Sequence, residues 1–182
     1  MSDFESLDNV GTIPVQEHHR FDVDALQAFM QREVEGYSGE LTVEEFAGGQ
    51  SNPTYALSAG GKRYVLRKKP AGELLKSAHA VDREYKVLTA LQNTDVPTGK
   101  TYAFCDDESV IGTIFYVMEF LDGRVIWDST GGNYTPEERG AFWDSANAAV
   151  AKLHQVDIDE VNMGDFGKRT DYIARQLKRW CG

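Results

Sequence analysis

Cysteine is nearly absent: Cys105 and Cys181 are the only two, far apart, with no C-x-x-C pair and no histidine pair near either. A disulfide framework and a thiolate metal site are thereby excluded, and free thiols in a reducing, cytoplasmic setting are expected. Long apolar runs are missing as well. The amino terminus, Met1-Ser2-Asp3-Phe4-Glu5, is acidic and carries no such run, so neither a signal peptide nor a membrane span is expected. Basic residues are outnumbered, 19 against 29 acidic ones, for a net charge of −10. That balance argues against nucleic acid or an anionic membrane as partner, since both are held by positive surface. Four histidines are scattered except for His18-His19, whose rings are expected to point apart as neighbours, with no metal held. What is present is apolar: 41% hydrophobic and 11% aromatic residues in a chain of 182. This is enough for one domain with a core, or for a small lobe plus part of a second.

Taken in order, residues 1–20 are polar, lack a period, include Pro14 and read as a mobile or loosely docked arm. A helix is expected after the capping Asp22, running to about Val34 with Val23, Leu26, Met30 and Val34 on one face. Gly36 and Gly39 end it. Strands are expected at Leu41–Phe46, Tyr55–Ser58 and Tyr64–Arg67, the last two joined by a Gly60-Gly61 hairpin turn. From about Ser77 to Gln92 a helix shows Ala78, Val81, Tyr85, Leu88 and Leu91 at spacings of three and four. Glu84 lies off the centre of that stripe, free to reach a neighbouring strand. Two more strands follow, Thr101–Cys105 and a run within Ile111–Phe120. Past Ser129-Thr130-Gly131-Gly132-Asn133 the pattern turns helical. Thr135-Pro136-Glu137-Glu138 has the cap hydroxyl, the first-turn proline and the glutamate of a capping box. The helix it opens is expected to bury Phe142, Ala146, Ala149, Val150 and Leu153, and Trp143 and Trp180 read as packing residues. A last helix near Thr170 carries Ile173, Leu177 and Trp180 and stops without a developed cap, so the chain reads as cut.

Five blocks stand out in this order: Gly48-Gly49-Gln50-Ser51-Asn52-Pro53-Thr54-Tyr55, Tyr64-Val65-Leu66-Arg67-Lys68-Lys69-Pro70, Asp82-Arg83-Glu84-Tyr85, Val117-Met118-Glu119-Phe120-Leu121-Asp122-Gly123, and Leu153-His154-Gln155-Val156-Asp157. A small-residue turn, a cation on the next strand and a carboxylate on the following helix is the order of parts in a kinase small lobe. Each block alone has an ordinary reading, as a hairpin loop, a solvated strand edge or a surface ion pair. Together, over residues 40–157, they resemble the aminoglycoside phosphotransferase/choline kinase family, most closely the branch fused to acyl-CoA dehydrogenases.

The resemblance implies an α+β fold: an N-lobe of about five antiparallel strands with one packed helix, then the first helices of a truncated helical C-lobe. Residues 1–20 would be the arm, 21–128 the nucleotide-binding lobe and 129–182 the start of the helical lobe. It implies ATP and Mg2+ as cofactors and transfer of a γ-phosphate to a small-molecule hydroxyl, with a hydroxyacyl thioester mildly favoured among open acceptors. Backbone groups around Gly48, Gly49, Gln50, Ser51, Asn52 and Thr54 would cover the phosphates. Arg67 would be the phosphate cation and Glu84 its helix partner, while Glu119 C=O and Leu121 N–H would meet adenine. Two departures stand against the family pattern. Arginine replaces the usual lysine, which keeps the charge but changes the geometry. No His-Gly-Asp catalytic segment occurs in these 182 residues, so the magnesium ligands are expected elsewhere and the polypeptide alone is expected to lack transferase activity. The alternative is a non-catalytic nucleotide-binding or protein-interaction module. Asp165-Phe166-Gly167 matches the magnesium motif of protein kinases in letters, but no catalytic loop precedes it, and it reads as a connecting turn.

Overall fold

The computed structural model describes residues 11–47, 52–70, 80–123, 125, 126, 128, 130–132 and 134–181. Alternating apolar and polar residues form an antiparallel sheet of six strands: β1 (Thr12–Ile13), β2 (Thr42–Phe46), β3 (Thr54–Ala59), β4 (Lys62–Lys68), β5 (Thr101–Cys105) and β6 (Phe115–Glu119), in the order β1-β2-β3-β4-β6-β5. The fold is α+β. The strand beyond the expected five is β1, two residues from the segment read as an arm, which pair with Phe46 and Glu45 of β2.

The β3–β4 hairpin turns on Gly60 and Gly61, both at positive φ (55° and 76°), the conformation a two-residue turn of matching twist needs. A Cβ on Gly60 would also stand 2.4 Å from the Ser38 carbonyl oxygen, so glycine is required there twice over. Helix α1 (Val23–Glu33) starts where Asp22 accepts a hydrogen bond from the Ala25 N–H at 2.9 Å. It sets Leu26, Phe29 and Met30, with Val34 beyond its end, against Tyr55, Leu57, Tyr64, Leu66, Phe115 and Val117 of the sheet. Burial of this apolar face is the main stabilising term of the lobe. Cys105 is free and buried in the same core, where burial raises its thiol pKa, and Cys181 is free and exposed.

Helix α2 (Val81–Leu91) covers the opposite face, against β5 and β6, with Tyr85 stacked on Phe104 at 5.2 Å. The sheet is thus the middle of three layers. Helix α3 (Pro136–Gln155) opens on the expected capping box, with Glu138 N–H donating to Thr135 Oγ1 at 3.2 Å and Thr135 N–H to Glu138 Oε2 at 2.8 Å. Helix α4 (Tyr172–Cys181) ends the described chain.

Three expectations are corrected here. Neither α3 nor α4 buries a residue: Phe142, Ala146 and Ala149 are half-buried, while Val150, Leu153, Trp143 and Trp180 are exposed, because nothing among the described residues packs over that side. His18 and His19 do not point apart. The tight 3-10 turn at Glu17–His19 brings their ring centroids to 4.0 Å. And the basic stretch on β4 is not simply a solvated edge, since Lys68 is only 8% exposed.

Candidate functional site

Strand alternation divides β4 between two environments. Tyr64, Leu66 and Lys68 face α1, whereas Arg67 turns to the α2 side, opposite Thr54 on β3 and Tyr116 on β6. Glu84, in the first turn of α2, reaches into the same space. Its Oε2 lies 2.9 Å from Arg67 Nε, each side chain being about one-third exposed (34% and 36%). The contact is an ion pair rather than an aligned hydrogen bond, because buried Arg67 Nε has no acceptor in line among the described residues. Two other groups fix the carboxylate. Asn52 Nδ2 donates to Oε1 at 3.1 Å and the Tyr116 hydroxyl donates to Oε2 at 3.2 Å, both from buried residues. Burial and then the Glu84 charge push the Tyr116 phenol upward, so it stays a donor throughout the neutral range.

The pair stands at the head of a cavity of about 650 Å³. Val87 and Leu88 of α2, Pro97 to Gly99, and Met118 and Leu121 at the end of β6 line its apolar wall, with Arg83 and Phe166 beside the Arg67–Glu84 pair. Gly99 lies beside the end of β6: a Cβ there would make ordinary contact, 3.5 Å from Leu121 Cδ1 and 3.8 Å from the Glu119 carbonyl oxygen. Glu119 is tied to Lys100, its N–H donating to Lys100 O at 2.7 Å and its Oε2 accepting from Lys100 N–H at 3.0 Å. A cation, an apolar wall and an exposed backbone end in one cleft suit a ligand with an anionic part and a flat apolar part.

On the other face a polar cluster ties the amino-terminal segment to the sheet. Glu45, buried, accepts from Gln16 N–H at 3.1 Å and meets His19 Nδ1 at 2.6 Å. Lys68 Nζ and the Tyr55 hydroxyl both donate to the His19 carbonyl, at 3.1 and 3.0 Å. Burial lowers the Lys68 amine, with the Glu45 charge opposing.

The description of a phosphotransferase enzyme family matches residues 42–182. The chain belongs to that family. A crystal structure from Ralstonia eutropha assigned to the aminoglycoside phosphotransferases superposes with a TM-score of 0.79 at 48% identity, over 89% of this chain and 46% of the other. Among curated relatives, a probable acyl-CoA dehydrogenase of Arabidopsis thaliana is 46% identical over 91% of this chain and 21% of its own length. Human acyl-CoA dehydrogenase family member 11 is 40% identical over 89% and 21%. The chain therefore spans about a fifth of the length of the curated relatives it matches.

Of the site residues expected from the phosphotransferase pattern, Arg67 and Glu84 are together, and Leu121 lies on the same cavity. Gly48, Gly49, Gln50 and Ser51 fall outside the described residues. Asn52, expected to act through its backbone, is placed with its side chain on Glu84, and Thr54 Oγ1 donates to Asn52 O at 3.0 Å, closing the turn. Tyr116 was missed altogether. Its only signal in the sequence is the two-residue offset from Met118 on the most strand-like run, which puts both on one face. Among the described residues no cluster of three acidic, histidine or cysteine side chains could hold a metal ion, and no helix is long and apolar enough to cross a membrane.

Proposed function

We propose that this chain is the nucleotide-holding part of an ATP-dependent phosphotransferase acting on a small-molecule hydroxyl. The observation that carries the reading is the Arg67–Glu84 pair, anchored by Asn52 and Tyr116 at the head of an apolar cavity that ends at the β6 exit. These residues fit the nucleotide: Arg67 would hold phosphate oxygens, Glu84 would keep the guanidinium aimed, and Met118 and Leu121 would cover the base next to the Glu119 and Leu121 backbone. The turn at Gly48 to Thr54 would cover the phosphates. Bound Mg-ATP supplies the transferable phosphoryl group and the metal that neutralises its charge. Within this chain the work is binding and orientation, since the sequence contains no His-Gly-Asp. The names of the acyl-CoA dehydrogenase relatives favour a hydroxyacyl thioester as acceptor.

Calorimetric titration of the purified chain with Mg-ATP tests the reading. Binding is expected, weakened about tenfold or more in Arg67→Ala and in Glu84→Ala, the scale for charge-assisted contacts to phosphate. A folded chain that gives no binding heat favours the second reading, a protein-interaction module, which the exposed apolar side of α3 and α4 supports. Single-turnover phosphorylation of an acceptor by residues 1–182 alone would show that a His-Gly-Asp segment is not needed.

A further inference from the structure

The Asp-Phe-Gly sequence has no metal context, yet it does not lie idle. Arg83, next to Glu84 on α2, donates from Nη2 to the Phe166 carbonyl at 3.1 Å, and its guanidinium carbon sits 3.9 Å from the centre of the Phe166 ring. Three residues on, Lys86 Nζ meets Asp165 Oδ1 at 3.0 Å. Positions 83 and 86 share one side of the helix, so the loop at 163–167 grips α2 along that side while Glu84 reaches the sheet. We propose that this loop is a brace that positions Glu84, with Arg83 and Phe166 as its positioning residues. The inference rests on the nucleotide reading of the Arg67–Glu84 site.

Two features of the fold call for such a brace. The first turn of α2 carries Glu84, but its N-cap is Ala80, which offers no side-chain acceptor, so among the described residues the turn has no local side-chain anchor. Helix α2 also packs mainly on β5 and β6 rather than on β4, the strand that carries Arg67. Asn52 and Tyr116 hold the carboxylate itself, and a contact outside the sheet that holds the start of the helix would add to their control of the Glu84–Arg67 distance. The loop is tied together by contacts of its own. Phe166 N–H donates to Met163 O at 3.0 Å, and Arg169 pairs with Asp159 across the backbone of Gly164. A Cβ on Gly164 would stand 2.8 Å from Asp159 Oδ1, so the ion pair closes tightly over the loop backbone at this glycine. The Lys86–Asp165 pair is exposed and contributes little by itself. The guanidinium–ring contact, with its hydrogen bond, is the stronger hold.

The test combines two measurements on the full 182-residue chain. Amide hydrogen exchange without nucleotide reports on α2 directly: Arg83→Met and Phe166→Leu are expected to speed exchange at residues 84–88 several-fold while the core of α1 keeps its protection. Mg-ATP affinity is then measured for each variant, for Glu84→Gln, and for the doubles. Each single brace variant is expected to bind about three- to tenfold more weakly, and to add no further loss in the Glu84→Gln background, because the brace acts through that carboxylate. Unchanged exchange in α2, or losses that add fully to Glu84→Gln, overturn the brace and leave Phe166 as cavity wall alone. A wild-type chain that binds no Mg-ATP overturns the nucleotide reading instead, and the exchange data still decide whether the loop holds the helix.

Discussion

Glu84 is held by three side chains from three different strands or turns, and each has a separable part. Arg67 supplies charge, Asn52 a neutral donor and Tyr116 a buried hydroxyl. Tyr116→Phe removes one donor and keeps the ring that packs near Tyr85. The expected result is a stability loss of about 1 kcal/mol by urea unfolding, with Mg-ATP binding weakened only a few-fold because the Arg67 charge remains. A loss as large as that of Arg67→Ala would make Tyr116 a direct ligand contact. Glu45 gives the second prediction. Burial pushes its carboxyl up, but hydrogen bonds from Gln16 and His19 outweigh that, and its pKa is lowered from the ordinary 4.5. A depressed carboxylate stabilises the fold above its unfolded-state pKa, and the contribution fades as pH falls through the lowered folded value. Wild-type stability should therefore decline below about pH 4.5 more steeply than that of Glu45→Gln, which should itself lose about 2 kcal/mol at neutral pH. Parallel pH profiles for the two chains would count against this account.

At the scale of the element, helices α2 and α3 begin in opposite ways. α3 has a complete capping box, whereas α2 starts at Ala80 with no side-chain cap. Ala80→Ser supplies the missing acceptor and is expected to raise stability by about 1 kcal/mol, seen as a higher melting temperature and slower exchange in the first turn of α2. No gain would mean that the N–H groups of that turn already have acceptors. The contrast also shows what the sequence makes legible. Local signals read true: the Asp22 cap of α1, the Gly60-Gly61 hairpin, the Thr135 box and the β5 run at Thr101–Cys105 all lie where their own residues put them. The pairing of Arg67 with Glu84 was implied by the family resemblance, with the two residues at a strand end and on the next helix, and their own local pattern could not show that they touch. The side-chain bonds of Asn52 and Tyr116 to Glu84 were not, since each joins residues 32 apart and depends on how the layers meet. For the same reason β1 escaped notice: two residues with no period become a strand only because β2 offers an edge.

At the scale of the whole molecule, apolar residues divide unequally between the two halves. The sheet and α1 bury theirs almost completely, with Leu26, Leu57, Leu66 and Phe115 at 0% exposure, while α4 leaves Ile173, Leu177 and Trp180 at 69%, 58% and 79%. Those three lie at i, i+4 and i+7, one stripe on one side of the helix, and the side is apolar without being covered by any described residue. On α3, Val150 and Leu153 are exposed as well. The local helix pattern led to an expectation of burial for Val150 and Leu153 and of packing for Trp180, and it failed because amphipathicity says which side wants a partner, not whether one is present. Such surface favours association, while a net charge of −10 opposes it through repulsion. The two effects give a salt-dependent outcome: sedimentation velocity should show mostly monomer at low ionic strength and increasing self-association as salt screens the charge. Ile173→Glu with Leu177→Glu should restore the monomer at every salt concentration. Arg67→Ala should leave association unchanged, because the stripe and the cavity share no residue. Association that ignores both salt and the α4 variants would place the contact elsewhere, on the sheet edges or the amino-terminal segment.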